Sequence, residues 1–338
     1  MIGSKSRMQG KVMSEHSADT DVDVGIDVCK AWLDVHILPA ETVLRVPNTR
    51  KGHKQLMAAL KGLSVHCITI EATGKYHRSV HRTLHEAGFA VVVVNPLRAR
   101  LFAEALGALA KTDQVDARML AVYGRMAKLN ATPPLPENLE NLREIVRNRE
   151  AFVAARVALQ NQLGTAGNAV VRKQIKQMIR MTGNAADTLE AEAVAVIKAD
   201  PGFARRREIL VSIPGVGEVT AICLIANMPE LGQLDAKKAG MLAGLAPVAC
   251  ESGQRKGPRH IRGGRKIVRT GIYMAAVSAT RYNDQLKVFY DRLLAAGKPK
   301  KVALTAVMRK LLVMANSLLK EDRCWSSKSP IAKPLLPA

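Results

Sequence analysis

Four carboxylates in the N-terminal part of the chain have the types and the order along the chain of a metal site. Asp27 lies at the end of the β-rich run VDVGIDV, and Glu71 ends VHCITIE. Asp113 and Asp116 lie in KTDQVDARM. The last two are three residues apart, so on a helix they share one face. In an open sheet with helices on its faces, adjacent strand ends bring their side chains together. Carboxylates from three elements can then converge. Converging carboxylates repel one another and need a cation, and hard oxygen ligands without His or Cys suit Mg²⁺ or Mn²⁺. Two such ions about 4 Å apart clamp the attacking and leaving oxygens of a phosphodiester during in-line displacement. Plainer roles also exist for each residue. A strand-end Asp often forms a turn or caps a helix. Asp113 could cap the helix that begins near it, and Asp116 could pair with Arg118 or Lys111 on a solvated face.

A second set of residues lies far down the chain. IPGVGEVTA at 213–221 reads as a Gly-rich turn opening a helix, and the turn around Gly215 and Gly217 could hold a phosphate on exposed amides. The competing reading is a tight helix–helix turn that needs glycine for its backbone. From 255 to 269 there are seven cations, Arg255, Lys256, Arg259, Arg262, Arg265, Lys266 and Arg269, and no acid. His260 adds a further donor, and Gly257, Gly263 and Gly264 predict a flexible loop. This is the strongest local nucleic-acid signal in the chain. Ser252 stands just before it. A serine near scissile phosphates could attack phosphorus once activated, but most loop serines only cap turns.

The elements that must position these residues are legible. Short β-rich runs at 23–29, 32–38 and 42–47 predict an antiparallel meander. A helix at 51–62, a strand at 65–71, a helix at 75–87 ending before Gly88, and a buried strand at 89–95 follow. Helices are then predicted at 97–107 and 112–129. The order β-β-β-α-β-α-β-α-α reads as an α/β domain over 22–130. NATPPLPEN at 130–138 reads as a linker. Residues 131–200 predict long helices, with apolar residues at spacings of three and four and a second long helix at about 169–198; they read either as a coiled-coil spacer or dimerisation arm, or as an ordinary helical hairpin within the domain. Residues 201–320 read as mostly helical with Gly-rich turns. The lead over 1–21 reads as flexible and the tail over 321–338 as disordered.

Composition agrees with a nucleic-acid partner. The chain has 338 residues and a formal charge of +22, a field that attracts polyanions. Its five cysteines, an odd number without a CxxC pair, argue against a disulfide framework or zinc ribbon and suit a reducing cytoplasm. The polar lead lacks a signal-peptide core, and no apolar run approaches the ~20 residues of a membrane span.

The segments GIDVCKAWLDV, IEATGKYH and KTDQVDARML resemble the three motif blocks of the DEDD transposases, and GLAPVACESGQRKG resembles that family's C-terminal motif, GLAP followed by a Ser-Gly pair. The family includes Piv-type DNA invertases and the bridge-RNA-guided recombinases of bacterial insertion sequences. The resemblance covers roughly residues 22–320. It implies a RuvC-like, ribonuclease-H-fold N-terminal domain in which Asp27, Glu71, Asp113 and Asp116 bind metal. It implies that Ser252 is the nucleophile, forming a covalent 5′-phosphoserine. It further implies target and donor DNA as substrates, a noncoding bridge RNA as guide, and a dimer or tetramer in which one protomer's carboxylates serve another's serine. Three competing readings stand beside it. They are a resolvase-like nuclease using water, a non-enzymatic nucleic-acid-binding protein, and an ATPase of the actin and sugar-kinase type. The last lacks evident phosphate loops after its first strand.

Overall fold

The computed structural model describes residues 21–72, 74–107, 113–249, 251–252, 255–257 and 259–326. The side chains of 113–115, 251–252 and 255–256 lie outside that description. The expected flexible lead therefore falls outside the described residues, as does the tail from 327 onward. The chain divides into two compact units, 1–135 and 136–338.

The first unit begins with β1 (Val22–Val28), β2 (Trp32–Leu38) and β3 (Thr42–Pro47), joined as an antiparallel meander. It continues with α1 (Arg50–Leu60), β4 (Val65–Glu71), α2 (His77–Glu86), β5 (Val91–Val94), α3 (Pro96–Ala105) and α4 (Asp113–Ala127). The sheet order is β3-β2-β1-β4-β5, with β1-β4 and β4-β5 parallel. This mixed five-stranded α/β sheet has the element order expected from the sequence and is consistent with a ribonuclease-H-like domain. Ends shift by one to three residues for local reasons. Helix α3 starts at Pro96 because Asn95 accepts hydrogen bonds from the Leu97 and Arg98 amides, and proline is suited to a first helical turn. Gly88, predicted to stop α2, takes φ +88 just past its end.

Strand residues alternate between two cores. Val24, Ile26, Val28, Leu33, Val35, Ile37, Ile68 and Ile70 pack with Leu56 and Leu60 of α1 and Val80 and Leu84 of α2. On the opposite face Cys67, Val92 and Val94 pack with Leu120 of α4. The intervening residues of that face on β1 and β4 are Asp23, Gly25, Asp27, Thr69 and Glu71.

The second unit is helical: α5 (Glu137–Thr165), α6 (Ala169–Ala199), α7 (Pro201–Val211), α8 (Glu218–Asn227), α9 (Ala236–Leu242), α10 (Lys266–Tyr282), α11 (Asp284–Ala295) and α12 (Lys300–Lys320). Four two-residue strands lie between α9 and α10: β6 (Pro247–Val248), β7 (Glu251–Ser252), β8 (Arg255–Lys256) and β9 (His260–Ile261). Helices α5 and α6 form an antiparallel hairpin, tied by Arg149 to Glu190 at 2.7 Å. Its base, through Leu142, Ile145, Val146, Ala193 and Ile197, belongs to the same core as α7, α8, α10 and α12. Beyond Val146 no residue of α5 is among the buried ones, and Phe152 and Val157 are exposed. Of the two arrangements the apolar repeat allows, the helices form a hairpin, and α5 contributes no buried residue to its outer half. Helix α12 is long and apolar enough, by length and composition alone, to cross a membrane. It carries Arg309 and Lys310 at its middle, and its face of Val307, Leu311, Leu312 and Leu318 is spent on the core. The described cysteines, Cys29, Cys67, Cys223 and Cys324, are free thiols.

Candidate active site

Two glycines decide where α4 lies. The register pairs Gly25 with Thr69 and Ile26 with Ile70, so Asp27 and Glu71 are the next residues at the same end of neighbouring parallel strands. A methyl group on Gly25 would overlap the Ala117 carbonyl and the Ala121 amide, and one on Gly124 would overlap the Thr69 hydroxyl. Buried Ala117 and Ala121 complete a small-residue stripe that lets the helix backbone press onto the sheet.

The direction of α4 follows from its contacts. Arg125 Nε lies 3.4 Å from Asp23 Oδ2, while Ala117 and Ala121 sit over Gly25. The helix therefore runs opposite to β1. Two strand residues advance about 6.6 Å, which about four helix residues match. One more such step from Gly25 reaches Asp27, and on the helix it reaches the first turn, where Asp113 and Asp116 are. Glu71 and Asp116 line one cavity of about 300 Å³, together with Pro96, Leu97, Arg100 and Met119. Asp27 Oδ1 accepts a hydrogen bond of 2.9 Å from the Val28 amide. Asp113 is the first residue of α4; its side chain is outside the described set.

Other acids on this face are neutralised by basic partners. Asp34, opposite Asp27 on β2, receives two hydrogen bonds from Arg45, at 2.6 and 2.9 Å. Asp23 faces His66 at 3.0 Å as well as Arg125. Arg118, which the sequence offers as a partner for Asp116, instead grips Glu41 through two hydrogen bonds of 2.7 and 3.0 Å. Arg118, then His36, hold the Glu41 carboxyl down to about 2.

Among the described residues no three His, Cys, Asp or Glu side chains form a group able to hold a metal ion. The donor set nevertheless suits a hard cation: carboxylate oxygens only, two of them in one cavity, with Asp27 and Asp113 brought by the backbone to the same end. Arg100 was missed from sequence. No local signal marks it, since the packing of α3 beside α4 is what puts it on this cavity. It is half-exposed, and its Nε donates to Glu104 at 2.8 Å.

In the second unit, the segment predicted as a flexible loop contains a pair of short ladders, a correction to the sequence reading. Pro247–Val248 pairs with Ile261–His260, and Glu251–Ser252 pairs with Lys256–Arg255. Ser252 thus stands beside the tip of a β-hairpin, directly opposite Arg255 in register. Gly264, one of the glycines that predict a flexible loop, instead allows a close backbone crossing. Gly244 (φ +67) and Gly264 (φ +65) press against each other so tightly that a Cβ on either would overlap the other strand's backbone. The Arg265 backbone amide donates to the Leu242 carbonyl at 2.7 Å across the same crossing.

The basic run does not act as one free patch. Arg265 turns inward, donating to Asn227 O at 2.7 Å and to both Glu230 oxygens at 2.7 and 2.8 Å. Arg269 donates to Gly263 O at 2.9 Å and Gly244 O at 3.4 Å. Both hold the hairpin base. Arg259, Arg262 and His260 are exposed, Lys266 likewise, and Arg255 and Lys256 have undescribed side chains. At the Gly-rich turn, Gly215 has φ +101 and its Cα packs directly on Ala279 of α10, so glycine is required there on structural grounds. Gly217 is the N-cap of α8 with open space beside it. Glu218, in the first turn of that helix, is held by Arg207 through two bonds of 2.6 Å.

Comparison with known proteins places this architecture. A transposase family profile matches residues 24–166, and a second, the transposase IS116/IS110/IS902 family, matches 207–291. The pilin gene-inverting protein of Moraxella bovis is 28% identical over 317 residues, which cover 90% of this chain and 98% of that protein. That of Moraxella lacunata is also 28% identical, over the same shares. The insertion element IS116 uncharacterized 44.8 kDa protein of Streptomyces clavuligerus is 25% identical over 300 residues, 66% of this chain and 74% of that protein. The chain is thus a transposase or recombinase, an enzyme that acts on DNA. It belongs to the IS116/IS110/IS902 family of transposases.

Proposed function

We propose that the chain cuts and rejoins DNA through a covalent 5′-phosphoserine on Ser252, using a carboxylate site formed by Asp27, Glu71, Asp113 and Asp116. The observation that supports this most is the lining of one cavity by Glu71 and Asp116, with the β1-β4 register and the direction of α4 bringing Asp27 and Asp113 to the same end. Mg²⁺ or Mn²⁺ held by these carboxylates would supply Lewis-acid stabilisation of charge on the scissile phosphate. The chain's own groups do the rest. Ser252 Oγ attacks phosphorus, the P–O3′ bond breaks, and the serine proton ends on the departing 3′ oxygen. Attack by a 3′ hydroxyl of a second strand then reverses the sequence and frees the serine. The hairpin carrying Ser252 is anchored at Gly244, Gly264, Arg265 and Arg269, which restricts where its tip can point. Arg255, Lys256, Arg259, Arg262 and Lys266 would hold the phosphate backbone, with the Gly215–Gly217 turn as a further contact. In the family's manner, a second protomer would bring its serine to the carboxylates of the first, and a bridge RNA would choose the DNA sites.

The Moraxella relatives, named for pilin gene inversion and matched over nearly their whole length, favour inversion as the product. The decisive experiment incubates the protein, its co-purified nucleic acid and Mg²⁺ with DNA carrying its own element ends, then denatures in SDS. A DNA–protein adduct that is lost in Ser252→Ala is the expected result. Cleavage that persists in Ser252→Ala would instead identify a nuclease that uses water.

A further inference from the structure

We propose that the outer half of the α5-α6 hairpin is a second DNA-docking surface, one that grips the phosphate backbone of a duplex outside the catalytic region. Residues 151–186 contain five cations, Arg156, Arg172, Lys173, Lys176 and Arg180, and no acid. At about 100° per helical residue, positions 169, 172, 173, 176 and 180 fall within an arc of about 100° on α6. Ala169, Arg172, Lys173, Lys176 and Arg180 line one open depression of about 350 Å³ on that face.

The face borders the buried side of α6 and lies opposite its exposed apolar strip. Ile175, Gly183 and Ala186 are buried in the hairpin, while Val170, Met178 and Met181 form an exposed apolar strip on the far side. Arg156 extends the basic face from the neighbouring helix, since its guanidinium passes over Gly183, where a Cβ would lie 3.6 Å away. Arg172 has a structural task, donating to Leu163 O at 3.0 Å and Ala166 O at 2.8 Å to close the hairpin tip. Lys173, Lys176, Arg180 and Arg156 have no carboxylate partner among the described residues.

Four like charges without counter-charge repel one another and weaken a free hairpin, so a counter-anion must be expected. From 172 to 180 the stripe runs about 12 Å. Duplex DNA carries one charge per ~1.7 Å of axis, so that length faces about seven phosphates. The match is to a regular, extended polyanion, and a duplex is what an enzyme of this family acts on. Straight lysines and an arginine on one helical face make point contacts to phosphate, which position a duplex without reading its bases.

The test is a salt titration of DNA binding by the full-length chain and by the triple variant Lys173→Gln, Lys176→Gln, Arg180→Gln. The probe is a short duplex of arbitrary sequence, followed by fluorescence anisotropy from about 50 to 200 mM salt. The slope of log K against log salt should become shallower by about 2.7, at about 0.9 for each lost phosphate contact. The variant Lys173→Arg, Lys176→Arg keeps the charge and should keep the wild-type slope. Circular dichroism of each variant checks that the hairpin is intact. An unchanged slope in the Gln variant overturns the proposal. So does an equal loss in the Arg variant, or a loss seen only with a single-stranded or hairpin RNA probe. Survival of the Ser252 adduct chemistry on preformed complexes keeps this result distinct from any failure of the catalytic reading.

Discussion

Gly25→Ala tests the packing that positions the candidate site. The added methyl has no room: it meets the Ala117 carbonyl and the Ala121 amide, which are backbone atoms of α4 and cannot rotate aside. Relief requires α4 to lift from the sheet. Overpacking of a tight core contact costs about 1–3 kcal/mol. The same movement carries the first turn of α4, and Asp113 and Asp116 with it, away from Asp27 and Glu71. A displacement near 1 Å can cost about 100-fold in rate where geometry governs catalysis. The chain has one tryptophan in each unit, Trp32 and Trp325. Urea unfolding can therefore be followed by fluorescence with either tryptophan replaced by Phe. The Trp32 transition should fall by about 1–3 kcal/mol while the Trp325 transition stays in place. Mg²⁺-dependent strand cleavage should drop with it, and the salt slope of DNA binding should not change. Gly164→Ala is the internal control, since nothing lies within 4 Å of the added carbon. It should be neutral or stabilise the second unit by up to about 1 kcal/mol. Wild-type stability and wild-type cleavage in Gly25→Ala would refute the account of how α4 is placed.

Further outcomes follow from other contacts. Glu71→Gln and Asp116→Asn should abolish cleavage while leaving duplex affinity within a few-fold, as measured by parallel cleavage and anisotropy assays. Gly264→Ala should lower the stability of the second unit by more than about 1 kcal/mol, because both a positive φ and the crossing with Gly244 oppose a side chain. It should also reduce Ser252 adduct formation. Arg265→Met leaves Glu230 half-buried without its cation and should destabilise that unit by about 1–2 kcal/mol after solvent screening is allowed for, with little effect on the salt slope of DNA binding. Burial acts to raise the Glu230 carboxyl, but its bonds to Arg265 and to its own backbone outweigh this, so it is held below the usual 4.5. A lowered folded value means that this pair's stabilisation is present above 4.5 and fades as pH falls through the folded value. The stability difference between wild type and Arg265→Met should therefore shrink below pH 4.5, as read by urea midpoints at each pH.

Much of the first unit was legible from sequence because its signals are local. The VDVGIDV, VHCITIE and FAVVVVN runs alternate or saturate in β-branched residues, and Asn95-Pro96 and Gly88 mark helix ends by their own backbone chemistry. The four carboxylates could be named because their types and order in the chain suggest chemistry. That neighbouring strand ends would bring Asp27 and Glu71 together was legible too, but the exact placement of α4 against the sheet was not. It depends on Gly25 and Gly124, whose missing side chains show nothing in sequence of the helix that needs the space. Arg100 was missed for the same reason, since only the packing of α3 beside α4 puts it on the cavity of Glu71 and Asp116.

The second unit divides in the same way. Charge and glycine content, which are sums over residues, identified the segment from 243 to 269, and apolar spacings of three and four identified the long helices before it. Only tertiary structure separated Arg265 and Arg269, which turn inward to carbonyls and Glu230, from the cations that remain exposed. Only tertiary structure turned Gly264 from a sign of flexibility into one side of a close backbone crossing with Gly244. Composition fixes which groups the chain owns, but whether a charge faces water or a buried acid depends on partners dozens of residues away, and those are set when the chain packs.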